Sequence, residues 1–365
     1  MFQKNSTLAV IITVSVLLVV PFRLIAQQSL PEYLPQPKVV GPIRSLGGTL
    51  GGQYKVWEKG FQKYQPGVRF VDTLISSEAS IGGLYSGASD LGPSGREAEL
   101  MDLLPFTETF GYSPLEITVA SGAFDPGIKG GSGSLAIFVN RGNPIIRLTM
   151  KQLDDIFGEA RSGGLDRTVW SPLNGRSAND DIRSWGQLGL GGDWARRTIN
   201  TYGYAYTGMK WFFQMKVFHG GDKWNPTYRE YVETESAMVD REHPQGKALT
   251  INQMLTDLSN DKYGIGYCPL HYAKSFPRLK AVALAEDERE PYVEPSRDSF
   301  QKRTYPLTRS IYIYLNRVPG QPLDPKLKEF LRYILSKQGQ QDIVTYGRYL
   351  PLPADFAQEQ MKKLE

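Results

Sequence analysis

The first hundred residues alternate between short apolar runs of strand length and longer stretches in which apolar residues recur at helical spacing. A strand is predicted at Ile43, and a Gly-rich turn follows over residues 47 to 52. The next segment is a predicted amphipathic helix, whose apolar face is Tyr54, Trp57, Phe61 and Tyr64. Pro66 and Gly67 end this helix, and residues 68 to 75 predict the next strand.

The same alternation continues along the chain. Further strands are predicted at residues 117 to 121, 135 to 140, 263 to 268 and 310 to 316. Helices are predicted at 149 to 157, 252 to 258, 326 to 337 and 339 to 350, and the polar turn at 174 to 183 is predicted to enter another helix. Alternation of strands and helices is typical of an α/β fold with mostly parallel sheets.

Hydroxyl residues and glycines are concentrated between residues 75 and 97. Ser76, Ser77 and Ser80 precede a predicted helix start at Ile81, where hydroxyls and backbone N–H groups would meet the positive end of the helix dipole. Residues 90 to 96 predict a short strand and a turn that leaves Ser94 and Arg96 near the carboxyl edge of a sheet. This pattern favours an anion site without a metal. Close packing of helix on sheet is the alternative explanation for the small residues.

The chain length and its first residues limit the domain organisation. A chain of 365 residues exceeds one ordinary core, so two domains are expected. Lys4, an apolar run over residues 8 to 20 and the small residue Ala26 predict a secretory signal peptide at 1 to 26; a retained membrane anchor is the alternative. Residues 27 to 42, with four prolines, predict an extended leader.

Charge and chemistry exclude several classes of protein. Cleavage after residue 26 removes Lys4 and Arg23 and no acidic residue, so the formal net charge falls from +4 to +2. The sequence contains no dense block of basic residues, so nucleic-acid binding is not expected. The single Cys268 allows no intrachain disulfide, and the three histidines lack metal-site spacing. No nucleophile elbow, phosphate-binding P-loop or dinucleotide fingerprint occurs in the sequence.

Candidate chemistry in the middle of the chain rests on an arginine and a group of aromatic residues. Arg176 lies in a Gly/Ser/Asn turn and offers a bidentate fork for an oxyanion, with a surface salt bridge as the alternative. Aspartates 154, 155, 180 and 181 are interpreted as helix N-terminal acids on solvated faces. The aromatic cluster is interpreted as core, with the lining of a pocket or a partner surface as the alternative. It comprises Tyr202, Tyr204, Tyr206, Trp211, Phe212 and Phe213.

Several of these motifs together resemble the periplasmic phosphate-binding proteins of ABC importers. The resemblance spans most of the chain after the leader, and its most specific part lies in the C-terminal third. Its motifs are the turn at 47 to 50, the serines at 76 to 80, residues 90 to 97, the helix at 149 to 157, the strand at 263 to 267, residues 305 to 314 from Tyr305 through Arg309 to Tyr314, and residues 351 to 353.

The resemblance implies a clamshell of two α/β lobes, of the type II periplasmic binding protein fold, that closes on its ligand by hinge motion. Lobe one would comprise residues 41 to 138 and 312 to 365, and lobe two residues 139 to 311. The implied ligand residues, with no metal and no cofactor, are Thr49, Leu50, Ser77, Ser94, Arg96 and Arg176.

The implied function is binding of inorganic phosphate or a related oxyanion in the periplasm, as a monomer, for delivery to the membrane permease of an ABC importer. A periplasmic phosphoesterase and a ligand-free scaffold on the same fold are the alternatives. Two departures from the family pattern bear on the ligand. Gly95 stands where many members carry an aspartate, and the acidic residues Asp180 and Asp181 follow Arg176 and would repel an anion unless they are paired.

Overall fold

The computed structural model describes residues 29–122, 133–166, 168–205, 208–231 and 246–365. The predicted signal peptide, Tyr206 of the aromatic cluster and His243 lie outside these residues. Within the described ranges, none of the helices has the length and apolar character needed to cross a membrane.

Lobe one is built on five strands that are flanked by six helices. The strands are β1 (Gly41–Gly47), β2 (Val68–Leu74), β3 (Gly92–Ser94), β4 (Leu115–Ser121) and β13 (Ser310–Leu315). The helices are α1 (Gln53–Gln62), α2 (Ala79–Tyr85), α3 (Leu100–Phe110), α8 (Pro325–Leu335), α9 (Lys337–Tyr346) and α10 (Ala354–Lys362). The strand order is β2-β1-β3-β13-β4, in which a single parallel bridge from Ser45 to Leu91 joins β1 to the β3 segment.

Lobe two contains a six-stranded sheet in the order β10-β9-β11-β5-β12-β6. Its strands are β5 (Leu135–Asn140), β6 (Arg147–Thr149), β9 (Asn200–Tyr204), β10 (Arg229–Tyr231), β11 (Gly264–Pro269) and β12 (Leu279–Ala285), and a separate hairpin is formed by β7 (Gly164–Asp166) and β8 (Val169–Ser171). The helices are α4 (Met150–Phe157), α5 (Gly208–Val217), α6 (Gly246–Asn260) and α7 (Arg297–Gln301).

Each lobe has its own hydrophobic core. In lobe one, Trp57 and Phe61 of α1 pack with Phe330 of α8 and with strand residues such as Ile313. Residues 29 to 40 of the predicted leader form neither helix nor strand, and they contribute to this core, because Tyr33 is buried and its hydroxyl donates to Glu329 over 2.8 Å. The second core contains the aromatic residues Tyr202, Tyr204, Phe212 and Phe213 and the buried thiol Cys268, and Trp211 is half-buried.

The helix starts follow the local sequence in most places. Thr149 caps α4 through its side chain, and Gln152 completes a capping box. The helix predicted to follow residues 174 to 183 does not form, so that prediction is wrong: short 3-10 turns occupy the region instead. Salt bridges from Asp181 to Arg176 and Arg183 hold this segment in an irregular path, and Gly189 in left-handed geometry ends the last turn.

Two strands run against the direction of their sheets. All other paired strands of lobe one run opposite to β13, and all others of the six-stranded sheet run opposite to β5. The predicted boundary between residues 138 and 139 would divide β5, yet β5 pairs over Leu135–Val139 only with strands of lobe two. Likewise β13 pairs with lobe one from Ser310, before the predicted boundary at 311 and 312.

This arrangement defines the edge on which a ligand can bind. Because β5 and β13 enter their sheets from the other lobe, their first residues lie at the junction between the lobes. The remaining strands therefore end at that junction, and the loops after β1, β2, β3 and β9 open onto it. Ligands of open α/β sheets bind at such carboxyl edges.

A carboxyl pair in lobe one makes a prediction about stability and pH. Burial and a hydrogen bond with Asp72 raise the pKa of Glu58 to about 8, although Lys55 Nζ lies 2.9 Å from Glu58 Oε2. At pH values above the ordinary carboxyl pKa, folding is therefore accompanied by the uptake of a proton at this carboxyl pair. We expect the resulting stability to be complete below about pH 4.5 and to be lost as the pH rises through about 8.

Glu58→Gln tests this expectation because the amide cannot ionise. Urea unfolding at intervals across that pH window should show a shallower loss of stability in the variant than in the wild type. Glu108→Gln, on an exposed position of α3, is the control. Equal slopes for the wild type and Glu58→Gln would contradict the assignment.

Candidate anion site

Three loops of lobe one are joined to one another at the carboxyl edge of its sheet. Gly48 N donates to Pro93 O over 2.7 Å, and Ser76 N donates to Gly47 O over 3.0 Å. Gly95 N donates to Ser77 Oγ over 3.0 Å. Only glycine fits at Gly47, where a Cβ would lie 2.3 Å from Pro93 O. The loops after β1, β2 and β3 therefore form a single surface.

Two hydroxyl groups on this surface are held with their protons available. Thr49 Oγ1 accepts from Gly51 N over 3.2 Å, and Ser77 Oγ accepts the bond from Gly95. A hydroxyl that accepts in this way can still donate its proton to a ligand. Leu50 follows with φ of 47°, a left-handed conformation that is rare for a branched side chain and is often found at functional sites.

Ser94 and Arg96 are placed differently from these hydroxyl residues. Ser94 Oγ donates to Arg96 O over 2.8 Å and accepts from Arg96 N, so its only proton is used within its own turn. Arg96 makes two bonds to Asp102, at 2.7 and 3.2 Å, and has Glu78 and Glu99 at 3.4 and 3.5 Å. Burial alone would lower the pKa of Arg96, but these carboxylates raise it above its usual value.

Lobe two meets this surface at the first residue of α5. A Cβ at Gly208 would lie 3.6 Å from Arg96 Cβ and 3.7 Å from Arg309 Nη2. The start of α5 thus lies against the side-chain stem of Arg96, on the β3 loop, and against the guanidinium of Arg309, directly before β13. The positive end of the helix dipole and one guanidinium group therefore meet at the lobe junction.

Arg309 is fixed where the two connections between the lobes meet. Its N–H donates to Ser134 Oγ over 3.1 Å, and its carbonyl accepts from Gly122 N over 2.9 Å. Its buried side chain bonds Glu97 Oε2 from Nη2 over 2.9 Å and lies 5.3 Å from the ring centroid of Phe212. The guanidinium therefore contacts both lobes.

Arg176 is placed within lobe two rather than beside the lobe-one loops. It bonds Asp181 at 2.7 Å and has Asp154 and Asp155 at 3.4 and 3.8 Å. Its backbone pairs with Arg161, which also bonds Asp154. Among the described residues, each recorded contact of Arg176 is internal to lobe two. The interpretation of Asp154 and Asp155 as solvated acids is wrong, because both are buried in this network.

Sequence reasoning missed the lobe-two side of the site. The aromatic residues before and within α5 favour core over a pocket or partner surface, although a helix that starts at Gly208 after the strand β9 offers an anion-binding helix start. Arg309 belonged to a recognised motif and was given no role. In the part of the chain that the structure describes, no group of three or more His, Cys, Asp or Glu residues could hold a metal ion.

The fold is that of a two-lobed binding protein, and the hydroxyl groups and Arg309 at this junction form a candidate anion site. Phosphate-binding protein PstS of Pseudomonas aeruginosa PAO1 is 33% identical over 338 residues, which cover 92% of this chain and 91% of that protein. PstS of Staphylococcus aureus MRSA252 is 24% identical over 143 residues, 39% of this chain and 42% of that one. The chain belongs to the PstS phosphate-binding protein family. No family model matches it.

Solved structures agree on the fold. An ABC-type phosphate transport receptor from Vibrio cholerae aligns with a TM-score of 0.50 at 19% identity, covering 85% of this chain and 100% of that one. PstS from Borrelia burgdorferi aligns with a TM-score of 0.52 at 16% identity, covering 85% and 98%. At these identities the likeness establishes the two-lobed fold alone.

The Arg176 network predicts a loss of stability without a loss of binding. Arg176→Gln should lower the free energy of unfolding by about 3 kcal/mol, because it leaves buried carboxylates without their partner. Chemical denaturation measures this loss, and calorimetry with phosphate should give an unchanged Kd for the folded variant. Weaker phosphate binding at unchanged stability would indicate that Arg176 belongs to the binding site.

Proposed function

We propose that this protein is an exported substrate-binding protein that takes inorganic phosphate between its lobes and delivers it to an ABC importer. The proposal rests on membership of the PstS family and on one observation: Gly208, at the start of α5, lies against Arg96 and Arg309 at the carboxyl edge of lobe one. Phosphate is what the named relatives bind, and this junction has the charge and donors that an oxyanion needs.

The lobe-one donors are suited to a tetrahedral oxyanion. Thr49 and Ser77 supply hydroxyl protons, and Leu50 begins a 3-10 turn, so its N–H has no partner within that turn. The start of α5 supplies positive dipole from the opposite side. Thr49, Leu50 and Ser77 therefore bind the anion directly. Arg96, paired with its carboxylates, holds the β3 loop beside these donors, and Ser94 shapes the turn that carries it.

Binding rather than catalysis is the activity proposed here, and the protein acts as a monomer. Residues 1 to 26 are its export signal, which places the mature protein in the periplasm, and the partner is the importer's membrane permease. The lobe-two acids do not oppose the ligand in this proposal, since Asp181 is paired with Arg176 and Arg183.

Calorimetry on the mature chain tests the function directly. Phosphate should bind with a stoichiometry of one, and a chromogenic phosphate ester should not be turned over. Steady product release would instead indicate a phosphoesterase. An absence of heat with phosphate, arsenate and sulfate alike would indicate a ligand-free scaffold and would refute the proposal.

A carboxylate introduced at position 208 should compete with phosphate for the positive groups at the junction. Gly208→Asp puts a negative charge beside Arg96 and Arg309, in a position where a Cβ makes only ordinary contacts. Phosphate affinity should fall at least about tenfold, which corresponds to about 1.4 kcal/mol. The melting temperature without ligand should rise, because the carboxylate neutralises repulsion between cationic groups.

Gly208→Asn is the matched control, since it has nearly the same volume and no charge. It should retain more affinity than Gly208→Asp and show no gain in melting temperature. Equal phosphate affinity in Gly208→Asp and the wild type would show that the anion binds elsewhere.

A further inference from the structure

Two arginines at the lobe junction differ in how far their charge is neutralised. Arg96 has three carboxylates within 3.5 Å, namely Asp102, Glu78 and Glu99. Arg309 has one recorded carboxylate partner among the described residues, Glu97. Glu97 itself is shared, because Tyr312 Oη also donates to it over 3.3 Å. More of the positive charge at the junction therefore remains on Arg309.

Arg309 also keeps donor capacity. It is only 3% exposed, and its Nε has no hydrogen-bond partner within the described residues. Arg96 Nε also lacks a hydrogen bond there, but it lies 3.4 Å from Glu78 Oε1, whereas no carboxylate is recorded at Arg309 Nε. A buried N–H of a charged group without a partner is costly, so its persistence calls for an explanation. The same guanidinium lies beside Gly208 at the start of α5, where an anion would be stabilised by the helix.

The backbone of Arg309 is fixed by hydrogen bonds at both its N–H and its carbonyl. Its N–H and carbonyl are bonded to Ser134, directly before β5, and to Gly122, directly after β4. The side chain rests against Phe212 of α5 at cation–π distance. A group fixed at this position is preorganised for a ligand enclosed between the lobes.

We propose that Arg309 is the principal charged ligand of the bound phosphate, supplied by the segment that connects the lobes rather than by either lobe's loops. Arg96, neutralised by its three carboxylates, is a positioning residue that holds the β3 loop. Glu97 keeps the Arg309 guanidinium in place without ligand and competes with the anion for it. This inference rests on the proposed function.

Arg309→Gln tests the inference by calorimetry with inorganic phosphate. We expect the affinity to fall at least tenfold. Arg317→Gln is the matched control, because it removes the same charge beyond the far end of β13, where Arg317 bonds Lys363 O over 2.6 Å. The control should bind phosphate as the wild type does.

A pH series separates ligation from a structural role. Phosphate passes from monoanion to dianion between acid and mildly alkaline pH, and a guanidinium ligand favours the more highly charged form. The gain in affinity with pH should therefore be smaller in Arg309→Gln than in the wild type. A parallel pH dependence with the same affinity would overturn the assignment.

Glu97→Gln supplies a second test that does not require Arg309→Gln to fold. Removing the internal competitor should raise phosphate affinity, whereas unchanged or reduced affinity would contradict the proposed exchange. If the wild-type protein binds no phosphate at any pH, the proposed function fails. If the wild type binds and Arg309→Gln binds equally well, only the role of Arg309 fails.

Discussion

The whole arrangement depends on the two strands that run against their sheets. Since β5 and β13 start at the junction between the lobes, every other paired strand in the two main sheets must end there. The junction therefore collects loops and helix starts, which are the parts of an α/β fold with backbone donors and positive dipole. A single topological choice places Thr49, Ser77 and Gly208 on one surface although they are far apart in the chain.

Because of this topology, two buried arginines lie at the junction, and they differ in the number of carboxylates that pair with them. The start of α5 meets the buried guanidinium of Arg309 and the side-chain stem of the buried Arg96, and buried charges are costly unless they are paired. Three carboxylates surround Arg96, so its positive charge is more than offset within this network. Arg309 shares a single carboxylate with a tyrosine hydroxyl. In the proposed function, this difference between the two arginines is what leaves the Arg309 guanidinium available to an exchangeable anion at the junction.

Local sequence predicted much of the fold and the position of the loops on one side of the candidate site. The lobe-one strands and helices follow clear apolar periods, and the turn at Thr49 and the serine-rich loop at Ser77 lie where the pattern placed them. The other side was not predictable from local pattern, because the start of α5 lies among aromatic residues that also form the core. Its relation to Arg96 and Arg309 depends on how the two lobes meet.

Arg176 is a second residue whose role the local sequence does not determine. An arginine in a polar turn with nearby serine and aspartate residues is typical both of an anion site and of an ion-pair network. Only the positions of Asp154 and Asp155, some twenty residues earlier in the chain, decide between these meanings. The choice is made by tertiary contacts that no local window contains.

Ser77 and Ser94 show the same dependence on the fold at the level of single hydroxyl groups. Both are serines at the carboxyl edge of the same sheet, and sequence gives them the same chemistry. Ser77 accepts a bond from Gly95 and keeps its proton for a ligand, whereas Ser94 donates its proton to Arg96 O. An oxyanion site is therefore determined by the donors that the fold leaves available, and residue type alone does not reveal which these are.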